Sequence, residues 1–196
     1  MRAIVTPAEE TALALPIYNA RVRVLILTLA VAAGALIVVE GQAPDARLQN
    51  QLKQLFPAAT SFSPKGGDPQ HFKAYTGDPK LPQSLAGFAF WTTELQPLER
   101  AYDGPIKILV GMDTKGILSG IIVVEHNEPY GDFSIDLPAF ARQFQKKNIR
   151  DAFRVGTDID AVSRATISIT SASRAVRNSA RRIARQFLAP PETSQE

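Results

Sequence analysis

The sequence predicts an α+β domain, a small antiparallel sheet packed with a few helices, preceded by one N-terminal transmembrane helix. Three observations carry that expectation: an uncharged apolar run at 24–39, three consecutive β-branched or aromatic segments between residues 86 and 125, and apolar residues at helical spacing near the C-terminus. A chain of 196 residues has room for one globular domain and a modest appendage. Its content of 45% hydrophobic and 21% charged residues is that of a folded protein. The absence of cysteine excludes disulfides, iron–sulfur clusters and thiolate metal sites. With His71 and His126 as the only histidines, a multi-histidine metal centre is not expected, and any chemistry falls to a bound cofactor.

Val24 to Val39 is a run of 16 residues without a charge, in which Thr28 is the only polar side chain. At about 1.5 Å per residue it makes roughly 24 Å of helix, which Val22 and the snorkelling stems of Arg21 and Arg23 extend towards a hydrocarbon core of about 30 Å. The long segment before the run, and the poor cleavage site at Gly41-Gln42-Ala43-Pro44, favour an uncleaved anchor over a signal peptide. Arg2, Arg21 and Arg23 precede the run, whereas Glu40 and Asp45 follow it. The positive-inside rule then places residues 1–23 in the cytoplasm, residues 24–39 across a bacterial inner membrane in a single pass, and the C-terminal domain in the periplasm.

Leu48, Leu52 and Leu55 space a short amphipathic helix over 45–55. Five prolines and three glycines between residues 57 and 85 read as irregular structure, so 40–85 is expected to link and wrap. Ala86–Thr92, Ile106–Met112 and Ile117–Glu125 are the strand candidates, the last two joined by a tight Asp113-Thr114-Lys115-Gly116 turn. An antiparallel meander is the economical arrangement. Leu137–Phe144 suits a helical turn or two. Ala172, Val176, Ile183 and Phe187 mark one face of a final helix that Pro190-Pro191 ends, leaving 86–188 as the folded domain and 189–196 as a tail.

Between Arg142 and Arg185 stand eleven Lys/Arg against Asp151, Asp158 and Asp160. Such a basic face attracts phosphate, or is simply solvated. A row of Arg174, Arg177, Arg181, Arg182 and Arg185 would suit nucleic acid, but the exported topology argues against that partner. No nucleophile–base pair or carboxylate pair stands out, so no catalytic residue is expected.

The segment Asp160-Ala161-Val162-Ser163-Arg164-Ala165-Thr166-Ile167-Ser168 carries the chemistry. Thr166 offers a hydroxyl about five residues before the expected helix, whose free N–H groups and positive dipole end suit a phosphate. Ser168, Thr170, Ser171 and Ser173 add donors, and Arg164 or Arg174 can pair with a phosphodiester. A Ser/Thr-rich helix cap is the plain alternative. The D-x-x-S-x-A-T pattern resembles the flavin attachment motif of the FMN-binding domain found in Rnf-type and sodium-pumping NADH:quinone oxidoreductase subunits and in NosR/NirI-type membrane regulators.

That resemblance implies that a flavin transferase esterifies FMN to Thr166, with Asp160, Ser163 and Ala165 in the recognition pattern and Arg164 where most members carry glycine. Glu125-His126-Asn127-Glu128-Pro129-Tyr130-Gly131 resembles the family's H-x-E-x-x-G loop, and Tyr102–Ile106 with Leu109–Asp113 and Gly120 resembles its glycine-patterned strands. The NosR-like branch is the nearest in pattern. His126 and Glu128 are therefore expected near the flavin, Trp91, Phe88, Phe90 and Tyr130 as a stacking wall, and Thr92 as a donor to the ring; an ordinary satisfied histidine and ordinary core aromatics are the plain readings. The resemblance implies a membrane-anchored periplasmic electron-transfer module, a flavoprotein subunit and not a stand-alone enzyme, whose redox partners are other chains or a larger membrane complex. A non-redox accessory or assembly subunit of the same fold is the alternative.

Overall fold

The computed structural model describes residues 45–188. The expected cytoplasmic segment 1–23, transmembrane helix 24–39 and tail 189–196 lie outside the described residues. Among the described residues no helix is long and apolar enough to cross a membrane.

Five strands, β1 (Ser61–Phe62), β2 (Phe72–Tyr75), β3 (Leu85–Trp91), β4 (Lys107–Asp113) and β5 (Leu118–Glu125), form one sheet in chain order, every neighbouring pair antiparallel. This is the expected meander with two further strands. Alternation along β3 sends Phe88 and Phe90 to one face of the sheet and Ala89 and Trp91 to the other. The first face is covered by α4 (Thr166–Phe187) and the short α3 (Pro138–Arg142), whose Ile169, Ala172, Val176, Ile183 and Phe140 close over Phe90, Ile108 and Val110. The second is covered by α1 (Ala46–Leu55), which buries Leu52 and Leu55 against Ala89 and Leu109. A one-turn helix, α2 (Thr92–Leu95), follows β3 directly.

The glycines of the strands explain how α1 comes so close. Gly111 pairs with Gly120 across β4 and β5, and a Cβ on Gly111 would collide with the Ser119 hydroxyl of β5 and stand 3.1 Å from Leu55 Cβ and 3.2 Å from Phe56 Cε2. The β4–β5 turn forms as its residues dictate: Gly116 has φ 80°, and Asp113 Oδ1 accepts from the N–H groups of Lys115 and Ile117, both at 2.8 Å.

Two expectations are corrected. Residues 57–85 are not wholly irregular, since β1 and β2 lie there and Phe72 and Ala74 are buried. A four-residue strand between proline- and glycine-rich turns offers too few alternations to be read. The last helix begins at Thr166 itself, so the threonine stands in its first turn and not in a loop five residues ahead. Thr-Ile-Ser-Ile-Thr has weak intrinsic helix propensity, which burial of Ser168, Ile169 and Ala172 overrides.

Candidate functional site

The Ala165 N–H donates to the Val162 carbonyl at 3.1 Å, closing a four-residue turn in which Arg164 takes the third position with φ 70°. A positive φ there is the type II pattern, the reason glycine suits this place and an L-residue is strained. Ser163, the second residue of the turn, is exposed. Ala165 is buried in the core and its carbonyl accepts from Ile169 N–H at 3.0 Å, the bond that starts α4. The N–H groups of Thr166, Ile167 and Ser168 precede that bond, and Ala165 supplies no side-chain cap. Thr166 is exposed at the first helical position. An exposed hydroxyl beside uncapped N–H donors at the positive end of a 22-residue helix fits a phosphoester.

Behind this turn the Glu128 carboxylate, only 6% exposed, accepts from the N–H groups of Tyr102 at 3.2 Å and Asp103 at 2.9 Å and from the Ser168 hydroxyl. It thereby ties the loop before β4 and the loop after β5 to the first turn of α4. His126 sets the backbone of that loop. Its Nδ1 accepts from Glu128 N–H at 3.0 Å, so the proton sits on Nε2, which donates to Asp136 at 2.9 Å. Gly131 is required by the same ring, because a Cβ there would collide with His126 Cε1. Tyr130 is 41% exposed and lies 5.3 Å from the Phe133 ring, and Tyr102 and Ile167 are exposed as well, so apolar surface is left open on the loops that Glu128 gathers.

Of the residues singled out from sequence, Thr166, Ser163, Arg164, Ala165, Ser168, Glu128, His126 and Tyr130 belong to this one region, linked by the turn and by Glu128. Trp91 does not. Strand alternation puts it on the α1 face with Lys107 Nζ 5.1 Å from its ring centre, and the sheet stands between it and α4. Phe88 and Phe90 are core. Thr92 is buried, its hydroxyl donating to the Ile106 carbonyl and accepting from Ile108 N–H, each at 3.0 Å, which leaves it a structural bridge between β3 and β4. Asp160 donates its N–H to Gln143 Oε1 at 2.7 Å and its side chain is exposed.

The hydroxyls and guanidinium groups expected to serve phosphate are mostly engaged elsewhere. Ser171 and Arg174 both reach Glu99 Oε1, at 2.9 and 2.7 Å. Ser173 is buried. Arg177 and Arg181 donate to the carbonyls of Ala152, Ile149 and Asp151, and Arg182 to that of Leu95. Much of the basic row is therefore spent on tying loops to α4. Tyr102, Asp103, Phe133 and Asp136 join the region without having been singled out as site residues; the two amides are backbone groups that no side-chain pattern signals.

Residues 101–181 match the family model of the FMN-binding domain. A comparison with curated proteins finds no match. The matched stretch contains the turn, Thr166, the Glu128 loop and most of α4, and it supports the FMN-binding domain family, with FMN as the cofactor and flavin-based electron transfer as the role it suggests.

Proposed function

We propose that this chain is a membrane-anchored periplasmic electron-transfer module that carries FMN covalently on Thr166, with a NosR-like character. The observation that supports the linkage is the exposed Thr166 at an uncapped helix start, directly after a turn whose third residue is held at φ 70°. Bound FMN supplies one-electron chemistry, and the protein's share is to hold and tune it. Thr166 would provide the ester oxygen, the first-turn N–H groups would be free to bind the phosphate, and the Arg164 guanidinium, which has no hydrogen-bond partner among the described residues, would be near enough in sequence to balance its charge. The exposed Tyr130 and Phe133 offer aromatic surface to an isoalloxazine ring. The apolar run at 24–39 and the arginines before it support the anchor and its orientation. Electron donor and acceptor are then other chains, and a flavin transferase matures the protein.

Intact mass of the full chain after co-expression with a flavin transferase tests the linkage: the gain expected is one FMN less one water, mapped to Thr166 and lost in Thr166→Val. Flavin on Ser168 or Thr170, or none at all, overturns it, and a colourless wild-type protein favours the accessory-subunit reading. A C-terminal reporter active only outside the cytoplasm tests the topology, and a mature N-terminus near Ala43 refutes the anchor.

A further inference from the structure

Glu128 occupies an unusual place for a residue expected to face a cofactor. It is buried, and its two oxygens already accept from two backbone N–H groups and one hydroxyl. The hydroxyl is that of Ser168, 3% exposed and two residues beyond Thr166. Helix α4 starts with a stretch of weak propensity and no side-chain N-cap, a combination that frays in isolation. A buried carboxylate held to the hydroxyl of the third helical residue anchors this turn while leaving its first N–H groups free, and its negative charge is favoured at the positive end of the helix.

With Ser168 drawn to Glu128 and Ala165 and Ile169 fixed in the core, the rotation of the first turn about its axis is set, and residue 166 is left outside. The rest of the His126–Gly131 run serves the same end: the His126 ring fixes the Glu128 backbone, and Gly131 makes room for the ring.

We infer that Glu128 and Ser168 form a clamp that positions the Thr166 hydroxyl for phosphoester formation, and that Glu128 is a positioning residue with no contact to the flavin. The inference rests on the attachment at Thr166 proposed above. In that step the Thr166 Oγ–phosphorus bond forms, the bond from phosphorus to the leaving group of an activated FMN ester breaks, and the hydroxyl proton departs to a base. No electrons change hands. The clamp acts only by keeping Oγ in place.

The test uses the full chain with its transferase, comparing wild type, Ser168→Ala, Ser168→Thr and Glu128→Gln. The rate of flavin incorporation is read well below the unfolding temperature, with amide exchange at Tyr102 and Asp103. Ser168→Ala removes only the helix side of the clamp, so incorporation should slow about ten-fold or more, the effect of losing a hydrogen bond to a charged group, while both amides stay protected. Ser168→Thr should restore the rate. Glu128→Gln should slow incorporation and also expose the amides, while the protein that does take up flavin keeps the wild-type absorption spectrum. Wild-type rates in Ser168→Ala, a slowing that merely follows loss of folded protein, or a shifted flavin spectrum in Glu128→Gln would overturn the clamp with the attachment intact. A wild-type chain that takes up no flavin overturns both.

Discussion

Replacing Arg164 with glycine and with alanine separates its backbone from its charge. The residue sits at φ 70°, where an L-amino acid is destabilised by about 1–2 kcal/mol. Glycine removes that strain but gives the unfolded chain extra freedom worth about 0.5–1 kcal/mol, so the net gain expected for Arg164→Gly is about 0.5–1 kcal/mol. For a domain of this size that corresponds to a rise of about 1–4 °C in Tm. Arg164→Ala keeps the strain and removes an exposed guanidinium that has no partner among the described residues, so its Tm should stay near wild type. Thermal unfolding followed by circular dichroism checks both. A glycine variant no more stable than the alanine variant would refute the idea that the turn strains residue 164. The same pair reads the charge: if the guanidinium balances the phosphate or the ring, both variants lower the flavin's reduction potential alike, and unchanged potentials in both would assign Arg164 to solvent.

Three further outcomes follow from the packing. Burial holds the His71 imidazole below its usual 6.5, with Lys73 adding to the effect and the hydrogen bond to the Pro69 carbonyl opposing it. The unfolded chain therefore binds the proton first, so stability should be level above about pH 6.5 and fall as the pH drops towards the lower folded value; urea midpoints at about pH 5.5 and 7.5 should differ in the wild type and converge in His71→Phe. Thr92→Val leaves Ile108 N–H and the Ile106 carbonyl without their partner and should cost about 1–3 kcal/mol by urea unfolding, with an unchanged midpoint counting against the bridge. Gly111→Ala forces a methyl group into the buried Ser119 hydroxyl and tightly against Leu55 and Phe56, and should cost about 1–3 kcal/mol; a neutral effect would mean that the space over Gly111 is not closed by β5 and α1 as described.

The strands at 86–92, 106–112 and 117–125 were legible because each is a run of β-branched and aromatic residues, and the turn between the last two carries its own aspartate and glycine. The parity of Trp91 was legible too: it is odd where Phe88 and Phe90 are even, so the three cannot line one wall. Alternation alone excluded it from the α4 face. The start of α4 was not legible, since local propensity opposes it and only contacts with distant residues establish it. Glu128 could be picked out by its motif, but not its task. Two of its three partners are backbone amides 25 and 26 residues upstream, and the third is a serine 40 residues downstream. A count of arginines on α4 likewise could not say that most of them would be spent on the carbonyls of 149–152 and of Leu95.

The two large helices lie on opposite faces of the sheet but begin at the same end of it. Asp45 caps α1 beside Trp91, Lys107 and Glu125, where β4 starts and β5 finishes, and α4 begins next to Glu128, just past that same edge. Asp45, the first described residue, thus stands at the pole of the domain where α4 begins with Thr166, and the hairpin around Gly116, which packs near Leu188 just past the end of α4, stands at the other. Both helices therefore turn their positive N-terminal ends to one edge of the sheet and their negative ends to the hairpin, so the domain is polarised along the strands, with the Thr166 pole the one that favours an anion.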